Sequence, residues 1–158
     1  MNGPPWALGE NGLWAGTAAV GFAVLMNVPV RALVACGATG CAGFVVRSLL
    51  LATGAANVVS ASFVAAIGVS LVGVGLGRRL RAPAVVFVIP GIIPLIPGAL
   101  AFRTIMDVMA VLDTEGEAQS RVLTLAAAGA VRTTLVTAAL AAGVAVPSMV
   151  LHRKRPML

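Results

Sequence analysis

The sequence predicts an all-α integral membrane protein with about five transmembrane helices, the fourth of which is broken by proline and glycine. The chain has 158 residues, of which 59% are hydrophobic and 10% charged, and its mean hydropathy is +1.03. A soluble domain carries about 25% charged residues. Long apolar segments alternate with single or clustered basic residues, and one segment holds three prolines and two glycines between residues 90 and 98.

Five apolar segments can be drawn within a single transmembrane domain of residues 1–158. They cover residues 13–30, 32–53, 57–77, 84–112 and 122–151, and the fourth is discontinuous. A transmembrane helix needs about 20 mostly apolar residues, so each segment can cross a bilayer. In the alternative with four spans, residues 32–53 lie in the membrane interface. We prefer five spans because this second segment is long enough to cross. The polar run 113–121 is predicted as an outer loop or a bend.

The charges predict the orientation. With five spans, Arg31, the cluster at 78–81 and the tail at 153–155 share one side, which holds seven of the eleven basic residues and no acidic residue. The positive-inside rule then places the N-terminus outside and the C-terminus in the cytoplasm, for a multi-pass protein of the bacterial inner membrane. In the four-span alternative the N-terminus is also cytoplasmic.

Small residues fill the segments and predict close helix packing. Glycines recur at 37, 40 and 43 and again at 73, 75 and 77, and small residues let helix backbones approach within a membrane. Cys36 and Cys41 fit the same role, since their spacing matches neither a redox nor a zinc motif. Because five short spans hardly enclose a solute pathway, we expect partner helices besides membrane lipid, from another subunit or from further copies of this chain.

Composition excludes several functions. Aromatic residues make up 4% of the chain, which provides no stacking platform for nucleic acid. With one histidine and five acidic residues, the chain offers no catalytic constellation. We therefore expect no enzyme activity, no metal site, no cofactor and no nucleic-acid partner.

The broken fourth segment is the main candidate for solute binding. Each proline removes a backbone donor and disfavours a continuous helix. Irregular backbone at membrane depth is tolerated only where protein buries it or a wet cavity lies beside it, and the N-terminus of a half-helix attracts anions. We predict substrate binding by Pro90, Gly91, Pro94, Pro97 and Gly98, where glycine would let a carboxylate approach. The alternative is a kinked helix that serves only packing.

Arg103 and Asp107 follow the break and lie four residues apart, so they can pair on one helix face. One interpretation is a mutually neutralising pair near the outer interface. In the functional interpretation, Arg103 anchors a carboxylate and Asp107 carries a proton or acts as a gate, because charges inside a membrane are costly and commonly functional.

Three further polar residues leave alternatives open. A span counted back from Leu151 places Arg132 at the interface, but a helix that begins as early as Val122 would place it inside, facing a cavity or a partner. Arg47 can extend outward to the interface. Asn27 caps or bridges helices, or lines the pathway. Asp107, Arg132 and Asn27 are the candidates for gating or proton coupling.

Several stretches resemble the small subunit of the bacterial threonine/serine exporter family. They are residues 19–23 (AVGFA), 27–33 (NVPVRAL), 90–98 (PGIIPLIPG) with Arg103, and 153–156 (RKRP). The resemblance implies a separately encoded larger membrane subunit and a small carboxylate or amino-acid solute. One branch of the family exports threonine and serine, and another exports dicarboxylates such as succinate. Family members often have tyrosine before this arginine, where the chain has Phe102.

The resemblance implies a subunit of a secondary transporter that is proton-coupled and exports succinate or threonine and serine. The alternative is a structural or regulatory membrane subunit whose larger partner contains the whole solute site.

Overall fold

The computed structural model of the protein describes residues 5–152, and it confirms the predicted all-α class. In this range six α-helices and one 3-10 turn follow one another: α1 (Pro5–Leu25), α2 (Val30–Ala52), α3 (Val58–Leu80), α4 (Val85–Ile92), the 3-10 turn Ile93–Leu95, α5 (Gly98–Ala110) and α6 (Gly116–His152). The predicted basic tail of Arg153, Lys154 and Arg155 lies outside the described residues.

Three of these helices are long and apolar enough to cross a membrane. They are α2, α3 and the Gly116–Pro147 part of α6. The segment Val85–Leu95 and α5 form a pair bent by 48°, which would make a fourth span if it crosses as one unit. The predicted break in this segment is thus confirmed. Within residues 5–152, α1 is not among the helices that meet this test, so the total of five spans stays a prediction.

Two asparagines define helix ends. Asn27 has a φ of 57°, a left-handed conformation that asparagine tolerates, and its N–H bonds to the carbonyl of Val24 at 2.9 Å. For this reason α1 ends before the predicted boundary at residue 30. At the start of α3, the Asn57 side chain accepts hydrogen bonds from the N–H groups of Val59 and Ser60 at 3.1 and 2.9 Å, which is an ordinary N-terminal cap.

Glycines bring two helix pairs into backbone contact. A Cβ added to Gly16 of α1 would lie 3.0 Å from the carbonyl oxygen of Gly37 in α2, and one added to Gly143 of α6 would lie 2.7 Å from that of Phe63 in α3. Such close approach supports the packing role predicted for the small residues.

The helices α3 and α6 run side by side in the same direction. Val59 and Arg132 line one surface depression near the start of α3, and farther along the hydroxyl of Ser70 donates to the carbonyl of Val144 at 3.3 Å. The part of α6 that precedes Arg132 therefore continues past the N-terminal end of α3.

That first part of α6 packs antiparallel against α5. Gly129 lies against Thr104, and the Gln119 side chain donates to the carbonyl of Val111 at 3.2 Å. Because Gly116 begins α6 with a φ of 65°, most of the polar run 113–121 is helical, and the short turn between α5 and α6 fits the predicted bend rather than the predicted loop.

Candidate functional site

One face of the first half of the broken segment is buried inside the chain itself. Phe87, Pro90, Gly91 and Leu95 are all buried, with α2 and α3 packed against α4. Broken backbone in an apolar environment needs such cover. The prediction that this stretch faces protein rather than lipid therefore matches the arrangement within this chain.

Side chains of α2 approach backbone carbonyls of α4 at the break. Pro90 has no N–H to donate to the carbonyl of Val86, and the Sγ of Cys36 donates to that oxygen at 3.4 Å. Next to it, the hydroxyl of Thr39 lies 2.7 Å from the carbonyl oxygen of Cys36 in its own helix and 3.1 Å from that of Phe87, so its single proton is shared between the two. Neighbouring side chains commonly satisfy the backbone groups freed by proline in membrane helices.

Arg47 satisfies the last carbonyl before the bend. Its Nη1 donates to the carbonyl of Leu95 at 2.7 Å, at the end of the 3-10 turn. Arg47 therefore turns inward to the break, which corrects the expectation that it extends outward to the interface. A charge-assisted bond of this kind is roughly twice as strong as a neutral one.

The two glycines of the break have different surroundings. A Cβ added to Gly91 would lie 2.7 Å from Oγ1 of Thr39 and 3.2 Å from a methyl group of Val69, so protein fills the space beside it. Gly98 has no such neighbour within 4 Å and is exposed. Of the two glycines, only Gly98 has the free space beside its backbone that the predicted approach of a carboxylate requires. Binding at either glycine stays a prediction.

A cleft between α5 and α6 brings together the three charged residues predicted for the site. Arg103 and Asp107 of α5 face Arg132 of α6 across a cavity of about 290 Å³. Its remaining lining is Leu100, Thr104, Leu125, Ala128 and Gly129. Binding sites for small molecules usually measure about 300–1,000 Å³, so this cleft suits a small solute.

The approach of Gly129 to Thr104 makes the cleft possible. A Cβ on Gly129 would meet Oγ1 of Thr104, which is itself bonded to the carbonyl of Leu100 at 2.8 Å. Arg103 is adjacent to Thr104 in the chain, and Arg132 lies about one helical turn beyond Gly129. The contact between Gly129 and Thr104 therefore brings Arg103 of α5 and Arg132 of α6 to opposite sides of the same cleft.

The charged side chains of the cleft have no partner among residues 5–152. Over the residues that the structure describes, Arg103, Asp107 and Arg132 make no hydrogen bond or ion pair through their side chains. The expected pairing of Arg103 with Asp107 is therefore not formed. Arg47 also lies close to this part of α6, because Leu95, to which it is bonded, lies in one buried cluster with Val136, about one helical turn after Arg132. The cleft thus presents two free guanidinium groups and one carboxylate.

Arg132 lies within a helix that begins earlier than residue 122. Because α6 begins at Gly116, Arg132 lies in the interior of a continuous helix of 37 residues. It lines the cleft and also lies near Val59 at the start of α3, so its depth in the membrane stays a prediction.

The other predicted residues lie elsewhere. Asn27 is next to the start of α2, whereas the break packs against the second half of α2 through Gly43 and Arg47. None of the five predicted proline and glycine residues lines the cleft.

Sequence reasoning did not identify the donors on α2. Cys36, Thr39 and Arg47, with Gly43 between the last two, follow one another at intervals of three or four residues, which places them on one helix face. That spacing, opposite a proline-rich segment, is the signal that could have revealed them.

The sequence model of the family described as "Threonine/Serine exporter, ThrE" matches residues 11–150 of the chain. No solved structure matches the chain.

Proposed function

Since the chain belongs to the threonine/serine exporter family, we propose that it is a membrane subunit of a secondary transporter that exports small carboxylates or amino acids. Threonine and serine, or succinate, are the proposed solutes, and the proton gradient is the proposed energy source. The proposed placement is the bacterial inner membrane, with the N-terminus outside and the C-terminus in the cytoplasm.

One observation carries this proposal: Arg103 and Arg132 present unpaired guanidinium groups to one cleft just beyond the broken segment. A guanidinium can hold a carboxylate through two parallel hydrogen bonds. Asp107 in the same cleft would pair with the ammonium group of an amino acid. For a dicarboxylate, Asp107 would have to bind a proton first, which would link transport to the proton gradient.

The surface of α5 supports assembly with a larger membrane subunit of the same family. Phe102, Ile105 and Met109 are between 58% and 65% exposed, and Leu112, which follows the end of α5, is 86% exposed. An apolar surface of this kind marks contact with protein or membrane. Lipid and a second copy of this chain are the other surfaces that could cover it.

Efflux measurements test the proposal. Inverted membrane vesicles would contain the chain alone, or the chain with a larger subunit of its family, and take up labelled threonine or succinate. We expect Arg103→Ala and Arg132→Ala each to lower transport by at least about tenfold, as for the loss of a charged hydrogen bond. Arg121→Ala, an exposed arginine on the same helix as Arg132, serves as the control. Unchanged transport in both cleft variants, with normal assembly, would refute the proposal.

A specific observation favours a second candidate function. Gly91 is packed against Thr39 and Val69, which is what a purely structural break requires. In that case the chain is a structural or regulatory subunit, and the larger subunit contains the solute site. Substitutions at Gly91 and at Arg103 would then change assembly and leave the apparent affinity for solute unaltered.

A further inference from the structure

Arg47 is the basic residue that connects the break to the cleft. It lies on the apolar helix α2 and is half-buried. Its hydrogen bond goes to the carbonyl of Leu95 at 2.7 Å, a neutral backbone group, whereas a buried arginine is ordinarily paired with a carboxylate. The positive charge of Arg47 is therefore not neutralised by its partner.

The position of this bond is at the bend itself. Leu95 ends the 3-10 turn, Ile96 is extended with ψ 129°, and α5 begins at Gly98. The remaining backbone bonds at the bend are local, from Ile96 N–H to Ile93 and from Gly98 N–H to Ile96. The bond from Arg47 thus joins the end of the first half of the segment to α2.

The charge of Arg47 is also coupled to the cleft. Leu95, to which Arg47 is bonded, lies in one buried cluster with Val136 of α6, about one helical turn after Arg132. The like charges of Arg47 and Arg132 therefore repel each other, and Arg132 lines the cleft with Arg103 and Asp107. An anion bound to Arg132 would weaken this repulsion, because opposite charge nearby stabilises both cations. The hydrogen bond from Arg47 to the carbonyl of Leu95 would therefore become stronger when a solute occupies the cleft.

The geometry points to Arg47 as a positioning residue for the cleft, which holds the bend between the 3-10 turn and α5 and responds through Arg132 to the charge of a bound solute. This inference rests on the proposed function, because it assigns the cleft an anionic group of the solute. It adds a residue that does not line the cleft and a link between solute binding and the shape of the break.

Distances across the bend test this inference independently of transport. Spin labels on cysteines introduced at Ile89 of α4 and Val108 of α5, which are 37% and 54% exposed, report the angle between the two halves. The background carries Cys36→Ser, which keeps a donor to Val86, and Cys41→Ala. Pulsed electron paramagnetic resonance gives the distance distribution without solute and with added threonine or succinate.

In the parent protein we expect a single narrow distribution of spin-label distances, and added solute should make this distribution narrower. In Arg47→Met the population outside the main distance should rise by roughly tenfold or more, the effect of losing one charged hydrogen bond, and solute should no longer narrow the distribution. Arg47→Gln, which keeps a polar side chain if the methionine variant does not fold, should also lose the response to solute. Arg121→Met is the control and should behave as the parent does.

A parent-like distribution and solute response in the folded Arg47 variants would overturn the inference. This result differs from failure of the proposed function. If the proposed function fails, Arg103→Ala would leave transport unchanged, and the distance distribution of the parent protein would not respond to solute. Arg47→Met would still broaden that distribution if the hydrogen bond holds the bend.

Discussion

Gly129 offers the sharpest test of how the cleft is built. A Cβ added at this position would meet Oγ1 of Thr104 on α5, and the hydroxyl of Thr104 is held by its bond to the carbonyl of Leu100. The substitution Gly129→Ala should therefore push α5 away from α6 and separate Arg103 from Arg132. The matched control is Gly68→Ala in α3, where an added Cβ has no neighbour within 4 Å.

The magnitude follows from two opposing effects. Alanine in place of glycine favours a helix by about 1 kcal/mol, and this gain applies at both positions. Overpacking costs about 1–3 kcal/mol, and this cost applies only to Gly129→Ala. We therefore expect Gly129→Ala to be less stable than Gly68→Ala by about 1–3 kcal/mol.

A double mutant separates the contact from other effects. Thr104→Ala removes the hydroxyl and methyl groups that meet the new Cβ, so it should restore much of the stability lost in Gly129→Ala. The expected coupling free energy is about 0.5–3 kcal/mol. Thermal unfolding of the protein purified in detergent measures stability, and vesicle transport of labelled threonine or succinate measures function. Equal stability of Gly129→Ala and Gly68→Ala, with no coupling to Thr104, would refute the close contact.

Two further predictions concern backbone groups. Thr39→Val keeps the shape of the side chain but removes the hydroxyl that lies between the carbonyls of Cys36 and Phe87, and should lower the free energy of unfolding by about 0.5–1.5 kcal/mol. Thr39→Ser should stay near the parent in the same unfolding assay, and a valine variant as stable as the parent would contradict the bond. Asn57→Ala removes the N-terminal cap of α3 and should lower the free energy of unfolding by about 0.5–2 kcal/mol. Asn57→Asp should retain most of the stability. Equal melting temperatures for the alanine and aspartate variants would show that the cap contributes little.

The sequence predicted the break and the charged residues beyond it for clear physical reasons. Proline cannot donate a backbone hydrogen bond at any depth in a membrane, so Pro90, Pro94 and Pro97 signal a broken segment without knowledge of its neighbours. Arg103 and Asp107 were likewise identifiable, because charges beside an apolar segment are costly.

The partners of those groups could not be predicted. Whether Arg103 pairs with Asp107 or faces Arg132 depends on how α5 packs against α6, and Gly129 determines that packing over a distance that local sequence does not reveal. The position of Arg132 depends on where α6 begins. Gly116 with its positive φ sets that start inside a polar run typical of a loop.

The donors on α2 have a mechanical consequence. Cys36, Thr39 and Arg47 tie α4 and the 3-10 turn to one face of α2, so these pieces move as a single rigid block. Among the other helices, α5 has its main packing partner in α6. Since α6 also packs along α3, a rearrangement of the broken segment that preserves these contacts moves α5 across the surface of α6 about a pivot at 96–98, which makes this short stretch the hinge of the broken segment.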